Sequence, residues 1–310
     1  MDHIDRAYKH ALRLPFDNMS RIVFMSDCHR GYGGWADSFA VNAPTFLSAL
    51  RHYDGENYTY IELGDGDELW ENRRFMPIAS VHHGVFTLLR GMLLKNRFYM
   101  LYGNHDIEKK RRPDMMHSYY DATQTCRCPL FPGMQAYESM ILSHRQSGQE
   151  LFLIHGHQAD YFNDNFWLLS RFLVRHLWKP LQAVGIKAPA SAMIDVQSKI
   201  KVEKRLMAWS EKNNTILIAG HTHRPQFPAP GQTRYFNDGS CVRPRQITAI
   251  ELSMGALSLV AWRYKTRADG TLYVGREFLA GPYALDLYSL GGKERVDSVP
   301  GIVVNCRCPD

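Results

Sequence analysis

Residues 21–29 read RIVFMSDCH, a short run of β-branched and apolar side chains that ends abruptly in an aspartate and a histidine. Continuous apolar runs of about four to eight residues are typical of strands buried on both faces of a sheet. Four later stretches repeat this design. They are Tyr58–Leu63 before Gly64-Asp65, Arg97–Tyr102 before Gly103-Asn104-His105-Asp106, Leu151–Ile154 before His155-Gly156-His157, and Thr215–Ala219 before Gly220-His221-Thr222-His223. The sequence therefore predicts strands that each carry a polar cluster at the carboxyl end.

Helical patterns lie between the first strands, over Ala43–Arg51 and Pro77–Leu94. The order strand, helix, strand, helix, strand predicts an α/β fold (α+β in the broader sense) in which ligands bind at the carboxyl ends of the strands. All the polar clusters fall at such ends, so we expect one site there. Three later runs, Thr233–Asn237, Gln246–Leu252 and Leu257–Tyr264, are typical of a meander in a second sheet.

The composition excludes several classes of protein. The chain has 310 residues, of which 45% are hydrophobic and 22% charged, as in globular proteins and unlike a disordered chain, a collagen or a coiled coil. Its formal net charge of +6 fits an anionic substrate but is too small for a nucleic-acid platform, so no nucleic-acid partner is expected. The sequence shows neither an apolar run of about 18 residues nor a secretory signal, and we therefore expect a cytoplasmic protein.

The polar clusters supply seven side chains with oxygen or imidazole donors. They are Asp27, His29, Asp65, Asn104, His155, His221 and His223. Mixed carboxylate, amide and imidazole donors suit Mn, Fe or Zn, and this many donors is about right for two ions that share one carboxylate. In an extended backbone, residues 27 and 29 direct their side chains to one side, and so do residues 221 and 223. Each pair is thus expected to offer two ligands from one strand end.

The ordered motifs Asp27-x-His29, Gly64-Asp65-x-x-Glu68, Gly103-Asn104-His105-Asp106, His155-Gly156-His157 and Gly220-His221-Thr222-His223 resemble those of the calcineurin-like metallophosphoesterase superfamily. The resemblance implies a four-layer αββα sandwich with a helical cap. The predicted organisation is a helical extension over residues 1–20, a metallophosphoesterase domain over 21–264, and a C-terminal extension over 265–310 that packs on the core. The cap is a helical insertion at about 160–212.

The same resemblance implies a centre of two divalent metal ions, with manganese favoured and iron or zinc as alternatives. The first ion would be bound by Asp27, His29, Asp65 and His223. The second would be bound by Asp65, Asn104, His155 and His221, with Asp65 bridging the two. His105 matches the histidine that protonates the leaving group, and Glu68 matches the acid that orients this histidine, with a solvated loop acid as the alternative.

The reaction implied by the resemblance is hydrolysis of a phosphate ester or pyrophosphate bond by a metal-bridging hydroxide, with His105 as general acid. Arg30 and His157 are candidate substrate-binding residues, and a surface position is an equal alternative for Arg30. Leu69 follows Glu68 where the Ser/Thr protein phosphatases of the superfamily carry Arg, which disfavours a phosphoprotein substrate.

The predicted cap contains a basic amphipathic run from Phe166 to Leu181, in which Arg171, Arg175 and Lys179 interleave with apolar side chains. A helix of this kind can lie on an anionic membrane surface. Three placements stay open: peripheral contact with the inner face of the membrane, contact with an acyl chain of a lipid-linked substrate, and burial against the core or a second copy. The oligomeric state also stays open.

The cap is similar to that of the UDP-2,3-diacylglucosamine pyrophosphatases, which hydrolyse a lipid-linked nucleotide but carry Arg where His105 stands. A hydrolase of this kind is the alternative function. A catalytically silent protein-binding scaffold is a further hypothesis.

Four of the six cysteines lie in two Cys-Arg-Cys-Pro segments, at residues 126–129 and 306–309. A spacing of one residue is unlike that of zinc knuckles, so reduced thiols are favoured over a shared metal site or a disulfide.

Overall fold

A computed structural model of the chain describes residues 2–35, 37–117, 129–160 and 189–289, with the side chains of residues 189–195 excepted. The helices in these ranges are α1 (His3–Lys9), α2 (Ala43–Gly55), α3 (Phe75–Val81), α4 (His83–Leu94), α5 (Glu108–Arg111), α6 (Asp114–His117) and α7 (Pro189–Asn213). The strands are β1 (Leu12–Phe16), β2 (Ile22–Met25), β3 (Thr59–Glu62), β4 (Phe98–Leu101), β5 (Ala136–Tyr137), β6 (Ser139–His144), β7 (Glu150–Ile154), β8 (Ile216–Ala219), β9 (Tyr235–Asn237), β10 (Gln246–Ser253), β11 (Ala256–Thr266) and β12 (Leu272–Ala284).

The strands form two sheets. Sheet A has the order β1-β6-β7-β8-β9, and sheet B has the order β12-β11-β10-β2-β3-β4-β5. In sheet B, β2, β3 and β4 are parallel neighbours, and in sheet A, β7 and β8 are parallel neighbours. Because parallel neighbours end at the same edge of a sheet, the loops that follow these strands are brought together there.

Alternating side chains along the strands give the fold its layers. On β2, Val23 and Met25 pack into the core under helices α2, α3 and α4, whereas Phe24 packs into the core between the two sheets. On β6, Met140 faces the other sheet and Ile141 packs with α1 and α7. A side-chain period of two thus buries both faces of both sheets. The layers are helix, sheet, sheet and helix, which confirms the predicted sandwich.

The strands that carry the polar clusters are those predicted from the sequence. The three later strand-like runs correspond to β9, β10 and β11. The first 20 residues are not all helical, which corrects that prediction. After α1, the alternating side chains of Leu12, Leu14 and Phe16 pack between the sheets, and β1 pairs in parallel with β6. In the predicted C-terminal extension, β12 pairs with β11 and so widens sheet B.

The predicted helix Ala43–Arg51 is present as α2 and continues to Gly55. The predicted helix Pro77–Leu94 is instead two helices, α3 and α4, separated at His82. The backbone of His82 leaves helical values (φ −99°, ψ 32°), and its Nε2 lies 2.9 Å from Asp37 Oδ2. The side-chain contact with Asp37 accompanies the break, which periodicity alone does not reveal.

Part of the predicted cap is described as α7, whose Val202, Leu206 and Trp209 pack against sheet A. The basic amphipathic run at 166–181 and the four cysteines of the Cys-Arg-Cys-Pro segments lie outside the described residues. Among the described helices, none combines the length and apolar character needed to cross a bilayer.

Candidate metal centre

The predicted donor residues lie together at the carboxyl ends of neighbouring strands in the two sheets. Asp27, Asp65 and Asn104 follow neighbouring strands of sheet B, and His155 and His221 follow neighbouring strands of sheet A. The cleft there has a volume of about 200 Å³. It is lined by His29, Asp65, Asn104, His105, Asp160, Ser198, Lys199, Val202, His221 and His223.

Left-handed backbone turns direct the side chains into this cleft. The residues concerned are Asp27 (φ 52°), His29 (φ 48°), Asp65 (φ 50°), His221 (φ 68°) and His223 (φ 57°). Positive φ is uncommon for residues other than glycine, and such strain concentrates at functional sites. The expectation of extended backbone at 27–29 and 221–223 is therefore wrong. His29, His221 and His223 still line the cleft, and Asp27 lies against His223, while Cys28 and Thr222 between these residues are fully buried.

The Asp27 carboxylate is oriented by hydrogen bonds to one of its oxygens. Asp27 Oδ2 accepts from Ser26 Oγ at 2.5 Å and from the backbone N–H of His221 at 2.8 Å. Its other oxygen, Oδ1, lies 3.2 Å from Nε2 of His223 and 3.6 Å from Nε2 of His29. One oxygen is thus fixed by the protein, and the other faces two imidazole nitrogens.

The two carboxylate oxygens of Asp65 also have different partners. Its Oδ1 accepts from the backbone N–H of His105 at 2.8 Å, whereas Oδ2 lies 3.2 Å from His155 Nε2 and 3.8 Å from His29 Nε2. Gly103 permits this packing, because a Cβ there would lie 2.1 Å from Asp65 Oδ1. The position of Oδ2 between the two imidazoles fits the bridging role that the motif comparison implies.

Two histidines share the Glu68 carboxylate. Nδ1 of His29 lies 2.9 Å from Glu68 Oε2, and Nδ1 of His105 lies 2.8 Å from the same oxygen. Nδ1 of His155 lies 2.9 Å from the carbonyl oxygen of Leu63. A partner at Nδ1 fixes the orientation of an imidazole and leaves Nε2 for a metal ion or for proton transfer. The contact between Glu68 and His29 is one that the sequence did not predict.

The arrangement fits metal binding. Among the described residues, four buried donor atoms of the site have no hydrogen-bond partner: Asp27 Oδ1, His29 Nε2, Asn104 Oδ1 and His155 Nε2. Leaving a buried polar atom unpaired costs about 1–3 kcal/mol, a cost that a cation would remove. The donor atoms of Asp27, His29 and His223 form one group within 4.8 Å, and those of Asp65, His155 and His221 form a second. A third group of this kind contains His29, Asp65 and His105, so His105 also lies within reach of the centre.

Without a bound cation, the electrostatics of the site favour a charged Asp65 and a protonated His155, whereas burial lowers the pKa of His221. Burial raises the pKa of Asp65, but His155 and His105 more than offset this and hold the pKa well below its usual range. Burial lowers the pKa of His155, but Asp65 more than offsets this and raises the pKa to about 9. Because a histidine must be neutral to bind a metal ion, metal binding here releases protons.

Arg30 does not reach the cleft, which corrects the expectation of a substrate contact or a surface position. Its guanidinium is fully buried, with Nε 2.7 Å from Asp67 Oδ1 and Nη2 3.0 Å from Glu62 Oε1. Lys109 Nζ, also fully buried, lies 2.7 Å from both Asp67 Oδ2 and Asp106 Oδ2. We call these five residues the buried ion cluster. The cluster connects the loop after β3, which carries Asp67, with the loop after β4, which carries Asp106.

His157 is likewise enclosed, at 3% exposure, and it does not line the cleft. Its ring centroid lies 5.5 Å from that of His155 and 6.2 Å from that of Tyr102. Burial, together with His155, holds the pKa of His157 well below its usual range, so the ring is neutral. The sequence predicted that His157 contacts the substrate, whereas the structure encloses its ring away from the cleft.

Sequence reasoning missed two sets of residues around the cleft. Asp160 follows the His155-Gly156-His157 motif by three positions, and its Oδ2 lies 3.6 Å from His221 Nε2. Ser198 and Lys199 come from α7 and are brought to the cleft by tertiary packing. The position of Asp160 near the motif could have identified it, whereas no local signal marks the residues of α7.

The family model described as calcineurin-like phosphoesterase matches residues 20–225. No curated protein matches. Among solved structures, Vps29 of Chaetomium thermophilum is similar with a TM-score of 0.40 and 11% identity, over 84% of this chain and 96% of that one. The cold-active protein-tyrosine phosphatase of a psychrophilic Shewanella species is similar with a TM-score of 0.40 and 14% identity, over 88% and 84%. The family match spans every predicted site residue.

Proposed function

The chain belongs to the calcineurin-like phosphoesterase family, and we propose that it hydrolyses a phosphate ester or phosphoanhydride bond with two bound divalent metal ions. Membership confirms the resemblance found in the motifs. The number of ions, their identity and the bond that is cleaved belong to the proposal.

The observation that carries the proposal is the set of unpartnered donor atoms in the cleft. Buried oxygens and imidazole nitrogens that lie within 4.8 Å of one another, several of them without a hydrogen-bond partner, are the donor set that a cation requires. In the proposed centre, the first ion is held by Asp27, His29, Asp65 and His223. The second is held by Asp65, Asn104, His155 and His221. Oxygen and imidazole donors favour manganese, with iron or zinc as alternatives.

When bound, two divalent ions supply an activated water and balance the charge on the phosphoryl oxygens. The chain itself supplies the proton for the leaving group. Glu68 holds Nδ1 of His105, so Nε2 is the nitrogen that can deliver a proton. Burial lowers the pKa of His105, but Glu68 more than offsets this and raises the pKa above its usual value. The raised pKa favours the protonated imidazole that a general acid requires.

The lining of the cleft favours a small anionic substrate group. Lys199 and Ser198 add a cation and a hydroxyl to the rim that the motifs do not provide. The alternative substrate, a lipid-linked nucleotide, would require the predicted cap to bind acyl chains. Contact of that cap with a membrane surface and a cytoplasmic location stay predictions.

The proposal is tested with a substrate panel in the presence of Mn²⁺, using alkyl and aryl phosphate monoesters, diesters, nucleotides and a UDP-linked lipid. We expect turnover of at least one member by the native chain and its loss in Asp65→Asn, which removes the bridging carboxylate. Asp269→Asn, at an exposed hairpin, is the matched control and should retain turnover. Absence of turnover for every member, or full activity in Asp65→Asn, would contradict the proposal.

A further inference from the structure

The indole of Trp70 lies flat against the imidazole of His105. The two ring centroids are 4.1 Å apart and the planes are inclined by 20°. Trp70 is only 4% exposed, so this face is covered by the indole and not by solvent. Stacked aromatic pairs of this geometry add to the attraction given by burial alone.

The turn that carries Trp70 also carries the acid that binds His105. Glu68 Oε1 accepts from the backbone N–H groups of Trp70 and Glu71, each at 3.2 Å. The same carboxylate lies 2.8 Å from His105 Nδ1. One short loop therefore supplies both a hydrogen-bond acceptor in the plane of the imidazole and an aromatic surface parallel to it.

A third contact closes another side of the ring. The imidazole of His29 meets that of His105 edge to face, with centroids 4.7 Å apart and an angle of 84°. The contact of Nδ1 with Glu68 and the stacking of Trp70 on one face restrain the orientation of the His105 ring. Nε2 is the ring nitrogen that Glu68 leaves available for proton transfer.

We propose that Trp70 is a positioning residue for proton delivery, which holds the His105 imidazole in line with the leaving-group oxygen of the substrate. This inference rests on the proposed function, because it assigns a role within that reaction. In the transfer, the proton passes from Nε2 to the departing alkoxide oxygen as the bond between phosphorus and that oxygen breaks, and His105 is left neutral.

A positioning role and a purely structural role of Trp70 predict different rates for two kinds of leaving group. A strongly basic alkoxide leaving group needs a proton in the transition state, whereas a nitrophenolate leaves without one. Loss of positioning should therefore slow an alkyl phosphate ester and spare a nitrophenyl ester. A general disturbance of the site would slow both esters alike.

The test compares kcat and KM of Trp70→Leu on an alkyl and a nitrophenyl phosphate ester in Mn²⁺. We expect kcat on the alkyl ester to fall by about 10-fold or more, but by less than the loss of about 10²–10⁴ that removing the whole acid would cause. KM on both esters and kcat on the nitrophenyl ester should change little. Trp70→Phe keeps a flat ring and should restore most of the activity. Trp262→Leu removes a similarly buried indole (5% exposed) outside the site and should not alter the ratio of the two rates.

If Trp70→Leu folds poorly, the role of Trp70 is tested with a double variant. In the His105→Ala background, Trp70→Met should cause no further loss on the alkyl ester, because a positioning residue acts only through the residue it positions. Equal losses on both esters, or a further loss in the His105→Ala background, would overturn the role of Trp70 and leave the proposed function intact. Absence of turnover by the native chain on every member of the substrate panel would overturn the proposed function and the role of Trp70 with it.

Discussion

Lys109→Met should destabilise the chain strongly, because it removes one of two cations from the buried ion cluster. Lys109 Nζ lies 2.7 Å from one carboxylate oxygen each of Asp67 and Asp106, and its side chain is fully buried. Breaking a buried pair by removing one partner costs about 3–5 kcal/mol, since the other charge stays buried. Arg30 still pairs with Asp67 in the variant, so the lower end of that range, about 3 kcal/mol, is expected.

The assay is urea-induced unfolding followed by circular dichroism, with Lys110→Met as the matched control. The Lys110 side chain is 54% exposed and its Nζ lies 3.8 Å from Glu138 Oε2, so its loss should cost about 1 kcal/mol or less. A free energy of unfolding for Lys109→Met within about 1 kcal/mol of the control would refute the reasoning about the cluster.

The pH dependence of the same variant gives an independent check. Burial raises the pKa of Asp67, but Arg30 and Lys109 more than offset this and hold it at about 2. The stability that this lowered pKa contributes is present above the usual aspartate value of about 4 and is lost as pH falls towards 2. The difference in unfolding free energy between the native chain and Lys109→Met should therefore narrow below about pH 4.

Three further outcomes test the site. Ser26→Ala removes the hydroxyl that orients Asp27 and should weaken Mn²⁺ affinity by about 10–100-fold in a binding titration, whereas unchanged affinity would exclude this orienting role. Gly103→Ala places a methyl group 2.1 Å from Asp65 Oδ1 and should cost about 1–3 kcal/mol and most of the turnover, while Gly91→Ala, which meets nothing within 4 Å, should keep both. Added Mn²⁺ should raise the midpoint of thermal unfolding in proportion to the logarithm of its concentration, and a midpoint independent of Mn²⁺ would contradict binding to the folded state.

The strands and the convergence of the donor residues were predictable because each strand carries its own signal. An apolar run that ends in Asp, Asn or His locates both the strand and the group at its carboxyl end. The edge strand β1 was missed because its partner β6 is distant in the sequence. Strand β12 pairs with β11, the strand directly before it, in a region that was predicted only to pack on the core. The break between α3 and α4 was missed because it coincides with a contact between His82 and Asp37, 45 positions apart.

The residues of the buried ion cluster could not be recognised from their charge alone, because the sequence does not show which charged side chains are buried together. Arg30 follows a metal-binding motif and was assigned to substrate or to the surface. Its partners Glu62 and Asp67 lie 32 and 37 positions away, and only the folded chain shows that they enclose it. Trp70 was within reach of sequence reasoning, since it lies two positions after Glu68, but nothing local indicates that it stacks on His105.

The central claim is that this chain is a phosphoesterase that depends on two metal ions. The most direct test is the turnover of the panel of phosphate esters, nucleotides and UDP-linked lipid by metal-stripped protein as Mn²⁺ is added in known molar ratios. The account predicts no turnover with chelator present and a rise that saturates at about two ions per chain. Turnover that persists in chelator, or none at any ratio while the protein stays folded, would contradict it.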